Sequence, residues 1–156
     1  MLIFEGALEL AAHAGRELGV SEWLTVTQDL ITRFAQVTGD TTWIHTDPIR
    51  AAREMPGGKT IAHGYLTLSM GPALMGQIYQ VRRFGRILNY GIDNLRFLAP
   101  VPCGARLRLR LGLKDAARRP DGGFRFQFTN TIELEPGERV AAHYDMLVLM
   151  YEAAPQ

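Results

Sequence analysis

Residues 63–80 decide the fold, and they read HGYLTLSMGPALMGQIYQ. Their apolar side chains point in nearly every direction around a helix, and a helix of that kind is buried on most of its sides. Small residues, among them Gly71 and Gly76, keep parts of its surface low, so that a sheet can pack closely against it. Pro72 removes the donor that the carbonyl of Leu68 would normally meet, which predicts a kink. We therefore expect a bent helix at the centre of the fold.

The sequence after this helix alternates with a period of two, as strands do. Residues 88–97 form one long predicted strand, in which a change of phase at Asp93 and Asn94 indicates a bulge. Three more strands are predicted after it. The second alternates leucines with arginines, and the third alternates phenylalanines with polar residues. The fourth runs from Arg139 to Tyr151 and follows a turn at Pro136-Gly137. These patterns predict an antiparallel meander of four long strands.

Shorter elements are predicted before the central helix. Apolar positions on a helical period indicate an amphipathic helix from Phe4 to Gly19, and residues 22–26 read as a short strand. Thr27 to Gly39 has a capping side chain at its start and a glycine at its end, which is typical of a helix. Thr46-Asp47-Pro48 offers the start of a further short helix, which Pro56-Gly57-Gly58 ends.

A buried helix wrapped by long strands is an α+β architecture. The chain has 156 residues, and at roughly 100–200 residues per domain we expect one domain over residues 1–156. Strands of ten or more residues exceed the usual length of about 5–6 and leave a long open edge. The simplest cover for that edge is the same edge of a second copy, so we expect a symmetric homodimer.

Charge and cysteine content exclude several classes of function. The chain has 17 Lys+Arg against 16 Asp+Glu, a net charge of +1 that gives no field to attract nucleic acid or an anionic membrane. Its single cysteine, Cys103, cannot form an internal disulfide, which fits a reducing cytoplasm. No basic stretch precedes an apolar core at the N-terminus, and no apolar run approaches the ~20 residues of a membrane helix. We expect a cytoplasmic protein with neither a nucleic-acid nor a membrane partner.

Asp40 and His45 carry the first chemical signal. They lie five residues apart in a loop predicted after the second helix, and both side chains exchange protons near neutral pH when they are partly buried. A carboxylate and an imidazole directed at one water are what the addition of water to a double bond requires. From spacing alone a structural role is the commoner one, in which Asp40 caps the loop and His45 is a satisfied hydrogen-bonding residue.

Gly64 carries the second signal, because it lies at the start of the buried helix. Unpaired backbone amides and the positive end of the helix dipole gather there. If the Gly64 amide faces the same cavity as Asp40 and His45, it can hold an oxygen that gains negative charge, such as a thioester carbonyl that becomes enolate-like. The alternative is that Gly64 only permits close packing.

The sequence combines Phe34, Thr38-Gly39-Asp40, Ile44-His45 and Ala62-His63-Gly64. This combination resembles the MaoC-like (R)-specific enoyl-CoA hydratases (hydratase 2), which have the hot-dog fold. Trp43 before Ile44-His45, and the stretches Asn89-Tyr90-Gly91, Arg96-Phe97 and Pro100-Val101-Pro102, are similar to the nodulation protein N-like branch. The resemblance runs from about Trp23 to Val148, nearly the whole chain.

The resemblance implies a hot-dog dimer that hydrates a trans-2-enoyl-CoA to the (R)-3-hydroxyacyl-CoA without a metal or redox cofactor. It implies that Asp40 and His45 are the catalytic pair that holds the water, and that the Gly64 amide binds the thioester oxygen. The division of labour between the two side chains stays open. Thr42 and Trp43 stand where Asn-Pro is commoner in the family, so we expect the bulky Trp43, with Tyr65 and Ser69, to shape substrate binding.

Several readings remain open beside this one. His63 is either a third catalytic imidazole or, with His45 and Asp47, a metal ligand, although no helical spacing supports a metal and we expect none. Ser69 and Asn89 either line an acyl pocket or bond to backbone, and the second is commoner. Within the same fold, a thioesterase would direct water at the carbonyl instead of at C3, and a non-catalytic acyl-CoA-binding module would keep the pocket without turnover.

Overall fold

The computed structural model describes residues 1–135 and 139–152, so the predicted turn at Pro136-Gly137 lies outside the described residues. The helices are α1 (Ala7–Ala11), α2 (Gln28–Thr38), α3 (Trp43–Thr46), α4 (Pro48–Glu54), α5 (Gly64–Ser69) and α6 (Gly71–Ile78). The strands are β1 (Leu2–Phe4), β2 (Arg16–Val20), β3 (Leu24–Thr25), β4 (Tyr79–Val81), β5 (Arg86–Phe97), β6 (Arg106–Arg118), β7 (Phe124–Glu135) and β8 (Arg139–Tyr151).

The main sheet is antiparallel, and its strands are ordered β2-β6-β7-β8-β5, with β3 also paired to β6. The predicted meander is correct for β6, β7 and β8 but wrong for β5, which pairs with β8 instead of β6. The physical reason is that the chain after β5 does not turn back in a hairpin. Its backbone bonds instead to the segment before α5, through Ala62 N to Val101 O (2.8 Å) and Cys103 N to Thr60 O (2.8 Å).

The core lies between this sheet and the central helix pair α5 and α6. The alternation predicted for β6 and β7 is confirmed: leucines and phenylalanines on one face of these strands are buried, and polar side chains occupy the other face. The ring of Tyr79, where α6 ends, stacks on Phe128 of β7 with centroids 5.6 Å apart. The central helix is interrupted at Met70, and α6 begins with Pro72 in its first turn, as the proline predicts.

The capping residues predicted from the sequence are present at the ends of α2 and α4. Thr27 caps α2 by accepting a hydrogen bond from Leu30 N, and Gly39 ends the helix in the left-handed conformation at φ 76°. Asp47 caps α4 by accepting from Arg50 N, with Pro48 as its first residue. The loop that contains Asp40 lies between the end of α2 and the start of α3, and α4 follows α3 directly.

The predicted amphipathic helix from Phe4 to Gly19 is wrong. The chain forms β1, a short α1 and then β2, with a reversal at Gly15, where φ is 80°. Leu18 is buried in a strand paired to β6, and Gly19 is a strand residue at φ 145°, not a helix cap. The apolar spacing suits both periods, and pairing with the long β6 selects the strand. The strand predicted at 22–26 is shortened to Leu24–Thr25.

The edge of β5 away from β8 has no partner strand among the described residues. The predicted bulge is confirmed by a register shift between Asp93 and Arg96, where Asn94 adopts a positive φ of 56°, and a second shift that was not predicted lies between Asn89 and Gly91. Large apolar side chains along it are exposed, namely Ile87, Leu88, Tyr90, Ile92 and Phe97. Within the described part of the chain, none of the helices has the length and apolar character needed to cross a membrane.

Candidate active site

Asp40 follows directly after Gly39, at the end of α2. Its carboxylate oxygen Oδ1 accepts hydrogen bonds from the Thr42 hydroxyl (2.7 Å) and the Thr42 amide (3.3 Å), which fold the loop into a turn. These bonds favour the charged form and lower the pKa of Asp40 below its usual range. The side chain is half exposed. The second oxygen, Oδ2, therefore remains an ionised acceptor at the surface of the site.

His45 lies on the single turn of α3, although the sequence predicted a loop there. Its ring is buried, with 8% of the residue exposed, and its Nδ1 donates to the Ile61 carbonyl at 2.7 Å. Because a carbonyl oxygen only accepts, Nδ1 carries the hydrogen and Nε2 presents a lone pair. Gln28 of α2 donates to the His45 carbonyl at 2.8 Å and joins α3 to the longer helix.

His63 is the residue just before α5, and it is 3% exposed. Its ring stacks on that of His45, with centroids 3.8 Å apart and planes 25° apart, and Phe34 lies 5.1 Å away. Its Nε2 donates to the Asp40 carbonyl at 3.0 Å, which leaves Nδ1 as a buried acceptor with no hydrogen-bond partner. Two buried imidazoles and one carboxylate thus meet at this point.

Gly64 opens α5, so its amide is among those that no carbonyl of the helix reaches. It lines a hollow of about 270 Å³ together with His45. A Cβ on Gly64 would lie 2.9 Å from the ring of Phe97, so the absence of a side chain permits this close approach. The other walls of the hollow are apolar apart from Thr67, and comprise Ile61, Ala62, Phe97, Leu98, Ala99, Pro100, Val101 and Ala141.

The other three predicted substrate-binding residues, Trp43, Tyr65 and Ser69, do not line this hollow. Trp43 is half-buried beneath the Arg50 guanidinium, 4.1 Å from the centre of the ring. Tyr65 is 67% exposed and meets Phe97 edge-on. Ser69 donates to the Tyr65 carbonyl at 2.7 Å and also lines a second hollow of about 310 Å³ between α5 and β5, beside Asn89.

The donor atoms of Asp40, His45 and His63 lie within 4.8 Å of one another, a spacing that a metal ion can use. Asp47 is not part of this cluster, because it caps α4. The stacked rings disfavour a metal, since the two nitrogen lone pairs lie in nearly parallel planes and do not converge on an ion about 2.0–2.1 Å from each.

The sequence does not indicate the roles of two residues in the site. Phe97 is part of the Arg96-Phe97 motif, but its contact with Gly64 depends on the bulges in β5, because they set the face of the strand on which Phe97 lies. Gln28 supports His45 across 17 residues of sequence, and no local signal announces that bond.

A long antiparallel sheet packed on one helix pair defines a hot-dog fold protein, as the family resemblance implied. Solved structures with this fold superpose on the chain. The monoamine oxidase regulatory protein from Archaeoglobus fulgius has a TM-score of 0.76 at 21% identity, with 99% of this chain and 100% of that one covered. An R-hydratase of Pseudomonas aeruginosa has a TM-score of 0.72 at 20% identity, with 98% and 94% covered.

The particular family follows from the sequence comparisons. The MaoC like domain family matches residues 9–131. The 3-hydroxyacyl-thioester dehydratase Z of Mycobacterium tuberculosis is 40% identical over 148 residues, 95% of this chain and 97% of that protein. Nodulation protein N of Rhizobium leguminosarum bv. viciae is 41% identical over 134 residues, 85% and 83% of the two chains. This chain belongs to the MaoC-like family, and the predicted resemblance is confirmed.

Proposed function

We propose that this protein is an (R)-specific enoyl-CoA hydratase, which adds water reversibly across the trans-2 double bond of an enoyl-CoA to give the (R)-3-hydroxyacyl-CoA. One observation carries the proposal. One carboxylate oxygen of Asp40 and one ring nitrogen of His45 lie within 4.8 Å of each other, and His45 lines an apolar hollow together with Gly64, the first residue of α5. Water activation and oxyanion binding need those groups in that arrangement.

The Asp40 and His45 side chains are both hydrogen-bond acceptors. One oxygen of Asp40 and one ring nitrogen of His45 lie within 4.8 Å, a separation that one water spans with a hydrogen bond of about 2.7–3.0 Å to each. Such a water donates both hydrogens to the pair and directs a lone pair at the substrate. The oxygen then bonds to C3 while one of the two side chains takes the proton, and that proton passes to C2 to complete the addition.

The Gly64 amide has the complementary role in this proposal. When the water oxygen bonds to C3, electron density moves through the double bond to the thioester oxygen, which becomes enolate-like. A backbone amide that no helical carbonyl uses can donate to that oxygen as charge develops on it. The contact with Phe97 gives the hollow an apolar wall, which strengthens the hydrogen bond by excluding water.

The relatives support the substrate class. A 3-hydroxyacyl-thioester dehydratase removes water from the compound that a hydratase makes, so one site serves both directions. We also propose that the carrier is coenzyme A, that the product has the R configuration, and that Trp43, Tyr65 and Ser69 shape the acyl site. The proposed reaction uses no metal or redox cofactor, because proton transfer and one amide supply the chemistry.

A homodimer in the cytoplasm completes the proposal. The exposed apolar side chains along the free edge of β5 support pairing with a second copy. The single cysteine supports a reducing compartment. Sedimentation equilibrium should give twice the 17.4 kDa mass of one chain, and a species of 17.4 kDa at micromolar concentration would contradict the dimer.

Crotonyl-CoA tests the function. Purified protein should bleach the enoyl-thioester absorbance and produce (R)-3-hydroxybutyryl-CoA without releasing free thiol, and a chelator in the assay should leave the rate unchanged. Free coenzyme A without hydration would indicate a thioesterase. No reaction with short or long chains, combined with measurable acyl-CoA binding, would indicate a binding module.

A further inference from the structure

We propose that His63 is a positioning residue for the Asp40 and His45 pair, holding the backbone of one and the ring of the other in a single arrangement. The inference rests on the proposed hydration and goes beyond it, because His63 itself does not touch substrate in this scheme.

The first observation is that His63 bonds to the main chain of Asp40 and not to its carboxylate. His63 donates to the main-chain carbonyl of Asp40 at 3.0 Å, whereas its distance to the carboxylate oxygen Oδ2 is 3.9 Å. The imidazole therefore anchors the residue without occupying the oxygen that water needs. This anchor matters because the loop from Gly39 to Thr42 is exposed, and Gly39 would have open space around any Cβ.

The second observation is the stack. His45 makes one ring hydrogen bond, from Nδ1 to Ile61, and this single bond does not by itself fix the plane of the ring. The His63 ring, 3.8 Å away and itself backed by Phe34, restrains that plane and directs the Nε2 lone pair. One side chain thus fixes both members of the pair.

The third observation is an unmet bond. His63 Nδ1 is buried without a partner, and an unpaired buried acceptor destabilises a folded protein. A phenylalanine would fill the same space and stack without that penalty. What only the imidazole adds is the Nε2 hydrogen bond to Asp40, so that bond accounts for a histidine at this position.

Two variants separate the stack from the hydrogen bond. His63→Phe keeps an aromatic ring between Phe34 and His45 but loses the donor, and His63→Gln loses the ring but places an amide donor near the position of Nε2. We expect His63→Phe to lower kcat for crotonyl-CoA by about tenfold to a hundredfold with KM nearly unchanged, since misplaced catalytic groups reduce rate more than binding. His63→Gln restores a donor but not the stack, so it should recover part of the loss.

The structural alternative predicts a different result. If His63 only packs, His63→Phe would turn over like the wild type per folded molecule, and that result overturns the proposal. Melting temperatures measured on the same samples separate lost folding from lost positioning.

Imidazole nitrogen NMR gives a readout that does not need activity. The chain has four histidines, so the signals can be assigned with single variants. We expect the Nε2–H tautomer for His63 and the Nδ1–H tautomer for His45. A His63 protonated at Nδ1 would overturn the positioning role even in an active enzyme, whereas correct tautomers in a protein that hydrates no thioester would contradict the proposed function instead.

Discussion

Asp40 and Asp145 are two carboxylates with opposite surroundings. Asp145, in the middle of β8, is 4% exposed and accepts hydrogen bonds from four side chains. They are Lys114 (2.7 Å), Thr129 (3.0 Å), Asn94 (3.3 Å) and Gln127 (3.3 Å). Asp40 accepts from Thr42 alone, through one of its two oxygens.

The comparison shows that the proposed catalytic carboxylate, Asp40, differs from the structural one, Asp145, in having an oxygen without a hydrogen-bond donor. The two do not differ in the direction of their pKa shifts. Burial raises the pKa of Asp145, but the hydrogen bonds from Lys114, Thr129 and Asn94 outweigh it and leave that pKa below its usual range. The pKa of Asp40 is lowered as well. Both groups are therefore ionised at neutral pH, yet only Asp40 has an oxygen free to accept from a water.

The largest effect is expected at the proposed catalytic pair. Asp40→Asn keeps an acceptor for Thr42, so the turn should survive, but it loses the charge that draws a proton from water; His45→Gln removes the imidazole. Each should lower kcat/KM for crotonyl-CoA hydration by about 10²–10⁴. Melting temperatures should stay near that of the wild type. Turnover close to wild type in both variants would remove the pair from the mechanism.

A smaller effect, on stability alone, is expected at Asp145. Asp145→Ala leaves Thr129, Asn94 and Gln127 without their acceptor, and we expect the free energy of unfolding to fall by about 2 kcal/mol, within the range for lost buried hydrogen bonds. Urea unfolding measures this loss. The kcat at saturating substrate should be unchanged, and a tenfold fall in kcat with an intact fold would contradict the structural role.

The same variant has a defined pH signature. A carboxylate whose pKa is lower in the folded protein adds stability above its ordinary pKa of about 3.9, and that stability is lost as the pH falls through the folded value. The difference in unfolding free energy between wild type and Asp145→Ala should therefore be present at pH 5–7 and shrink below about pH 4.

The smallest effect is expected at Thr42, which supplies both bonds to Asp40. Thr42→Val removes the hydroxyl but keeps the amide, so the pKa of Asp40 should rise toward its usual value. The acid limb of the kcat/KM profile should then move to higher pH, with little change at neutral pH. Thr42→Ser retains the hydroxyl and is the matched control. Superimposable profiles for Thr42→Val and wild type would mean that Asp40 does not set that limb.

Features governed by neighbouring residues could be read from the sequence. The cap at Thr27, the glycine end at Gly39 and the bulge near Asn94 are local geometry, and all are present. The helix predicted from Phe4 to Gly19 failed because β6, about ninety residues later, pairs with this segment. The partner of β5 could not be predicted for the same reason, because β5 pairs with β8, which lies far away in the sequence.

Some features of the candidate site could likewise be predicted from the sequence, and others could not. Asp40, His45 and Gly64 could be named as candidates because their residue types suit proton transfer and anion binding, and because the family resemblance favoured these roles over structural ones. The stack of His63 on His45 could not be predicted, because it depends on how the segment before α5 bonds to residues 101–103. The tautomers of both rings depend on carbonyls far away in sequence.

The pairing of β5 with β8 has a consequence for biosynthesis. About forty residues separate the end of β5 from the start of β8, and β8 is the strand that attaches β5 to the sheet. At about 5–20 residues per second, a ribosome needs several seconds to make that stretch. During this interval β5 has no strand to pair with, so we expect nascent chains that stop before β8 to be captured by chaperones or to aggregate through this unpaired strand.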